Sequence, residues 1–96
     1  MKPLWKIRSG KYAGWRSNGD LLYNAQGDNV GYFDGNNCYS LDGHNIGEIY
    51  RDDWIGKKAS VIRPIKGSRA SYASIARAPY ANRAGLAIAG WDDPDL

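Results

Sequence analysis

Between Leu4 and Arg63, short runs of aromatic, β-branched and leucine residues alternate with clusters of Gly, Asn, Asp and Ser. Short alternating runs bounded by turn formers read as half-buried strands. Set in rows, LWKIRSGKYAGW, LLYNAQGDNVGY, CYSLDGHNIGE and DWIGKKASVIR form an internal repeat. One column is Ala13, Val30, Ile46 and Ile62, spaced 17, 16 and 16. A second is Trp5, Leu22, Cys38 and Trp54, with the same spacings. Gly14, Gly31 and Gly47 make a third column, lost at Arg63, and Gly10, Gly27 and Gly43 a fourth, replaced by Ala59.

Each unit suits two strands and two turns. The inner turns fall at Ser9-Gly10, Gln26-Gly27-Asp28 and Asp42-Gly43-His44. The joining turns fall at Ser17-Asn18-Gly19, Asp34-Gly35-Asn36-Asn37 and Arg51-Asp52-Asp53. Asn-Gly and Asp-Gly favour the positive φ of tight hairpins. A lone hairpin is marginal in water, so the units must share a core, in a four-fold radial arrangement or a small closed barrel. The expected fold is mainly β: four short β-hairpin repeats in a pseudo-four-fold array over residues 1–64, with Trp5, Leu22, Cys38 and Trp54 around one axis.

After Pro64 the strand pattern stops. Residues 65–96 read as a helical or irregular C-terminal extension. Ser68 can cap a short helix to about Ala78, ended by Pro79, with Tyr72, Ile75 and Ala76 on one face. The apolar run YANRAGLAIAGW follows. This segment can pack on the β domain, cross to another subunit or stay partly disordered.

The length, 96 residues, fits one small domain. With one cysteine, Cys38, and one histidine, His44, no internal disulfide and no Cys- or His-rich metal site is expected. Cys38 reads as a small core hydrophobe. No signal peptide and no membrane-spanning run is expected, and a soluble, cytoplasmic protein is the default.

Charge is arranged in blocks. Residues 1–19 carry Lys2, Lys6, Arg8, Lys11 and Arg16 and no acid; residues 20–50 carry Asp20, Asp28, Asp34, Asp42 and Glu48 and no Lys or Arg. From Trp54 to Trp91 there are seven basic residues and no acid. Such blocks either mark a surface for nucleic acid or lipid, or neutralise one another within the fold or an oligomer.

The pattern shared by YNAQGDNVG and YSLDGHNIG resembles the bacterial 4-fold beta flower domain. That resemblance implies a four-hairpin, pseudo-four-fold β domain and no established activity. The stretch GWRSNGDLLYNAQGDNVGY also resembles the choline-binding or cell-wall-binding repeat, although the paired strand aromatics are reduced to Tyr23 and Tyr39, and Gly47 is followed by Glu48. That second likeness implies aromatic cages for a cation. A third, of CYSLDGHNIGEIYRDDWIG to PRC-barrel strands, rests on a common strand-turn-strand pattern.

Catalytic patterns are missing: no P-loop, Rossmann glycine pattern or nucleophile elbow. His44 sits in a turn, and Asp52-Asp53 and Asp92-Asp93 are neighbours whose side chains need not converge. No catalytic residue, metal or cofactor is expected. The expected function is a non-enzymatic interaction module, protein-binding or self-associating, with choline or cell-wall glycan binding and nucleic-acid binding as alternatives. The candidate binding surface is Trp15, Tyr23, Tyr32, Tyr39, Arg69, Tyr72, Arg77 and Tyr80. In the C-terminal extension Lys66, Arg69, Arg77 and Arg83, interleaved with Tyr72 and Tyr80, suit a single-stranded nucleic acid or a solvated tail.

Overall fold

The computed structural model describes residues 1–59 and 62–96. Seven strands follow the turn signals closely: β1 (Lys2–Lys6), β2 (Tyr12–Arg16), β3 (Leu21–Asn24), β4 (Asn29–Asp34), β5 (Asn37–Ser40), β6 (Asn45–Tyr50) and β7 (Trp54–Lys58). Each pairs antiparallel with the next, and β1 pairs in parallel with β7, which closes a seven-strand barrel. An eighth strand, β8 (Trp91–Asp92), pairs with the end of β7 through Lys57↔Asp92 and Lys58↔Trp91. The mainly-β expectation holds.

Three units repeat one device. Leu4 faces Gly14, Leu22 faces Gly31 and Cys38 faces Gly47, and immediately after each the register shifts. Such a bulge bends the strand and sharpens its twist, which suits a small barrel. In two units an asparagine side chain ties the bulge. Asn29 Nδ2 donates to the Leu22 and Gly31 carbonyls at 3.0 and 2.9 Å. Asn45 Nδ2 donates to the Cys38 and Gly47 carbonyls at 3.1 and 3.2 Å.

The core corrects one expected column. Leu4, Ala13, Leu22, Phe33, Cys38 and Ile55 form it, with Val30, Ile46, Ile49 and Leu96 packed against it. Leu4 and Ile55, rather than Trp5 and Trp54, are the partners of Leu22 and Cys38. Their spacings are 18, 16 and 17; the first is 18 because the first hairpin holds one more residue between its core position and its glycine. A one-residue slip moves a side chain to the opposite face of a strand. Trp5 therefore lies on the outer wall. Burial in apolar surroundings pushes the Cys38 thiol up, as suits a small core hydrophobe.

The fourth copy is incomplete. Among the described residues no strand lies between Lys58 and Trp91. Ile62, aligned by the repeat with Ala13, Val30 and Ile46, is 98% exposed. Ser60 and Val61 of the same copy lie outside the described residues. Closure explains the loss: β1 occupies the edge of β7 that a further barrel strand would need.

The helix expected from Ser68 to Ala78 is also absent: residues 62–88 carry no regular secondary structure. Their backbone N–H groups bond to the barrel instead of to carbonyls four residues back. Lys66 bonds Gly43, Arg69 bonds Leu41, Ile75 bonds Gly27, Arg83 bonds Gly10 and Leu86 bonds Ile7, all at 2.7–2.8 Å. An isolated helix of this length is marginal even in alanine-rich sequence, so these bonds decide the outcome. The segment forms a strap that visits the barrel's units in reverse order.

Candidate functional site

The outer wall of the barrel is built from large rings. Trp15 faces Tyr23 across β2 and β3, stacked at 4.9 Å between centroids. Tyr32 faces Tyr39 across β4 and β5, at 5.7 Å. Trp5 pairs with Trp54 where β1 meets β7. Each pair sits where one repeat joins another, because the period of two that sends Leu22 and Cys38 inward sends their neighbours outward.

The strap lays one or more cations on each pair. The Arg83 guanidinium lies 3.5 Å from the Trp5 ring centre and 5.6 Å from that of Trp54. Its Nη1 reaches the Asp53 carboxylate at 3.2 Å. Arg69 lies 3.7 Å over Tyr32, Lys66 5.2 Å over Tyr39 and Arg77 5.4 Å over Trp15. At the joint between the third and fourth units Glu48 faces Gly56 where the other joints carry a ring pair, and it takes Arg63 at 3.5 Å and Lys58 at 3.6 Å. A cation over a ring face is worth about 0.5–2 kcal/mol, more as water is excluded.

Backbone contacts set the strap's register. At the inner turns its N–H groups reach the carbonyls of Gly43, Gly27 and Gly10. Gly27 shows why the column is glycine. Its φ is +87°, and a Cβ there would sit 2.1 Å from the Ile75 carbonyl oxygen. Gly10 and Gly43 repeat this arrangement against Arg83 and Lys66. The docking residues Lys66, Ile75 and Arg83 are thus spaced 9 and 8 apart, about half the barrel's own repeat.

Side chains add further ties. Trp5 Nε1 donates to the Ala81 carbonyl at 2.8 Å. The Tyr72 N–H donates to Asn29 Oδ1 at 3.0 Å, and the Tyr12 N–H to Asn82 Oδ1 at 2.9 Å. Ser74 Oγ donates to Asp28 at 2.7 Å. Tyr80 packs edge-on to Trp5 and tilted against Tyr12. Burial is the main cause pushing the Tyr12 hydroxyl up, Tyr80 adds to it and Arg77 opposes it.

Charge follows the same plan. Lys66 Nζ meets Asp34 at 2.6 Å. That hydrogen bond and charge hold the Asp34 carboxyl below its ordinary value and lift Lys66 above its own. The acidic middle thus receives the basic strap within one chain. His44 Nδ1 lies 3.0 Å from Asp42, whose carboxyl is held down at about 2, first by the Ser40 hydroxyl and then by His44. Among the described residues no three His, Cys, Asp or Glu side chains gather as metal ligands.

The eight sequence-derived candidates divide in two. Trp15, Tyr23, Tyr32 and Tyr39 are buried in the wall, at 2–4% exposure. Arg69, Tyr72, Arg77 and Tyr80 are exposed along the strap. The structure brings Arg69 onto Tyr32 and Arg77 onto Trp15. Sequence reading puts Trp5 and Trp54 on the barrel axis and Lys66 and Arg83 in a basic tail suited to nucleic acid, and it misses Asp53 and Asn82. The recurring Asn-x-Gly at Asn29-Val30-Gly31 and Asn45-Ile46-Gly47 was a readable signal for the bulge ties. No helix among the described residues is long and apolar enough to cross a membrane. Comparison with protein-family models, curated proteins and solved structures gives no match.

Proposed function

We propose that this chain is a non-enzymatic interaction module whose outer groove grips an extended peptide rich in small residues and bearing spaced arginines. In the single chain the occupant is its own segment 62–88. The observation that carries the reading is the seat of Arg83 between Trp5, Trp54 and Asp53. A planar guanidinium lays its flat face on a ring while its edge bonds a carboxylate; an ammonium has no flat face to stack. The main-chain bonds at the turn glycines read backbone rather than side chain, so they accept any extended segment that brings an N–H to each glycine carbonyl.

A choline-binding repeat would use the same wall of rings as a cation site. Here a soluble quaternary ammonium would have to displace a tethered side chain, so choline serves as a competitor in the test. A nucleic-acid reading is weakened because Lys66, Arg69, Arg77 and Arg83 are already committed to rings and carboxylates.

The test is a labelled peptide of residues 64–88 titrated against the full-length chain and against Arg83→Ala. Tighter binding to the variant, weakened by excess unlabelled peptide, supports the groove. If neither protein binds the peptide, and an oligonucleotide or choline binds instead, the reading is wrong.

A further inference from the structure

We propose that the strap is exchanged between two copies of this chain, so that segment 64–96 of each circles the barrel of the other. The proposal rests on the groove reading above and names the partner: a second copy.

Three observations carry it. First, from Lys66 to Leu86 the backbone bonds run from strap to barrel: to Gly43, Leu41, Gly27, Gly10 and Ile7. The side-chain ties from Tyr32, Asn29, Asp28, Tyr12 and Trp5 also cross from barrel to strap. A strap from a second copy satisfies every one of them in the same geometry. Second, the barrel closes on its own through β1 and β7, and its core comes from residues 4–55 apart from Leu96. Segment 64–96 takes β8 and Leu96 with it when it leaves, and the seven-strand barrel stays closed through β1 and β7.

Third, the connection is unusual. Ile62 and Ile65 are 98% and 66% exposed, the two most exposed large hydrophobics among the described residues. They flank Arg63 and Pro64. Proline fixes its own φ and holds the residue before it extended, so this stretch reaches outward more readily than it doubles back. Exchange of a terminal segment across a two-fold axis sets the two connections side by side. Ile62 and Ile65 of one copy then meet those of the other, and the apolar pair that lies bare in one chain becomes covered. A tethered strap has a local concentration on the order of millimolar, which favours the single-chain form. Burial at the paired connections is what offsets it, so the exchanged form grows with protein concentration.

The test uses the full-length chain carrying Asp28→Cys and Ser74→Cys, treated with a short thiol-specific crosslinker. The Asp28 and Ser74 side chains touch across groove and strap at 2.7 Å. Cys38 is fully buried with its thiol pushed up, so it stays unreactive. Exchange predicts a covalent dimer on a denaturing gel. It also predicts that adding Ile62→Asp and Ile65→Asp lowers the dimer fraction several-fold while crosslinking within one chain rises. Crosslinking confined to single chains at high protein concentration overturns exchange and leaves the groove reading intact. No crosslink of either kind overturns both.

Discussion

The barrel and the strap obey different rules although both are short of helix and rich in small residues. In the barrel, each strand pairs with the next one along the chain, and the same bulge recurs with spacings of 16 to 18 residues. In the strap, the main partners lie far away: Tyr12 with Asn82, Trp5 with Ala81, Asn29 with Tyr72. Local pattern determines the first and an already folded surface determines the second. The barrel could form before the strap; the strap has nothing to hold it extended until the barrel exists.

The largest break in this comparison should come from the core. Leu22 is fully buried among Leu4, Ala13, Phe33, Cys38 and Ile55. Leu22→Ala should cost about 2–5 kcal/mol, from lost burial and the cavity left behind. Denaturant unfolding followed by Trp fluorescence reads the loss, and amide exchange should show barrel and strap losing protection together. Strap protection surviving loss of the barrel would reverse the dependence argued here.

A pair of glycines separates the two regions more finely. Gly27 and Gly35 both sit at positive φ, +87° and +61°. Alanine at either costs about 1–2 kcal/mol in the left-handed region. Only at Gly27 would the new Cβ also strike the strap, since Gly35 has open space around it. Gly27→Ala should therefore exceed Gly35→Ala in cost and should strip exchange protection from the Ile75 N–H. Equal costs, with Ile75 still protected, would mean the strap does not rest on that turn.

Arg83 sharpens the comparison from the strap side. Its side chain is 40% exposed, so its ion pair with Asp53 counts for little and its ring contacts for more. Arg83→Ala should cost about 1–2 kcal/mol, and each kcal/mol lowers the melting temperature of a domain this size by about 4–8 °C. Arg83→Lys keeps the charge and should recover only part, because an ammonium cannot stack. Guanidinium added well below denaturing concentration should restore some of the melting temperature of the alanine variant and none of the wild type's.

The barrel was legible because its determinants are local. Turn clusters at Gln26-Gly27-Asp28 and Asp42-Gly43-His44 mark hairpins whatever else the chain does. The column shift from Trp5 to Leu4 was not legible, since one additional residue in the first hairpin changes which neighbour points inward and both residues are large and apolar. A small closed barrel was one of the two arrangements the repeat allowed, but its closure by β1 on β7 was hidden, because nothing in the fourth unit announces that its second strand is displaced. The strap was the least readable part. Ser68 to Ala78 has caps, alanines and a terminal proline that suit a helix, and only the wall of rings and turn carbonyls overrules them. Of the candidate residues, the ring and cation types were visible, and their pairing with each other was not.

The smallest expected effect concerns pH at the strap's first docking point. Lys66 donates its N–H to Gly43, next to Asp42, and its ammonium to Asp34. Both carboxyls lie below their ordinary value of 3.8, Asp42 at about 2. A depressed carboxyl contributes stability that is complete above its unfolded value and is lost as pH falls through its folded one. Lys66 lies above its ordinary 10.5, so its contribution is complete below that value and is lost as pH rises beyond its folded one. Both sides of the clasp are solvent-exposed, so the change should be local. Protection of the Lys66 N–H, corrected for intrinsic exchange, should hold through neutral pH and fall between about pH 4 and 2, ahead of Ile75 and Arg83. Asp34→Asn should remove part of that acid step and the alkaline one with it, whereas Asp42→Asn should remove only the acid part. An unchanged profile in both variants would mean that the backbone bond to Gly43 holds this end of the strap without help from charge.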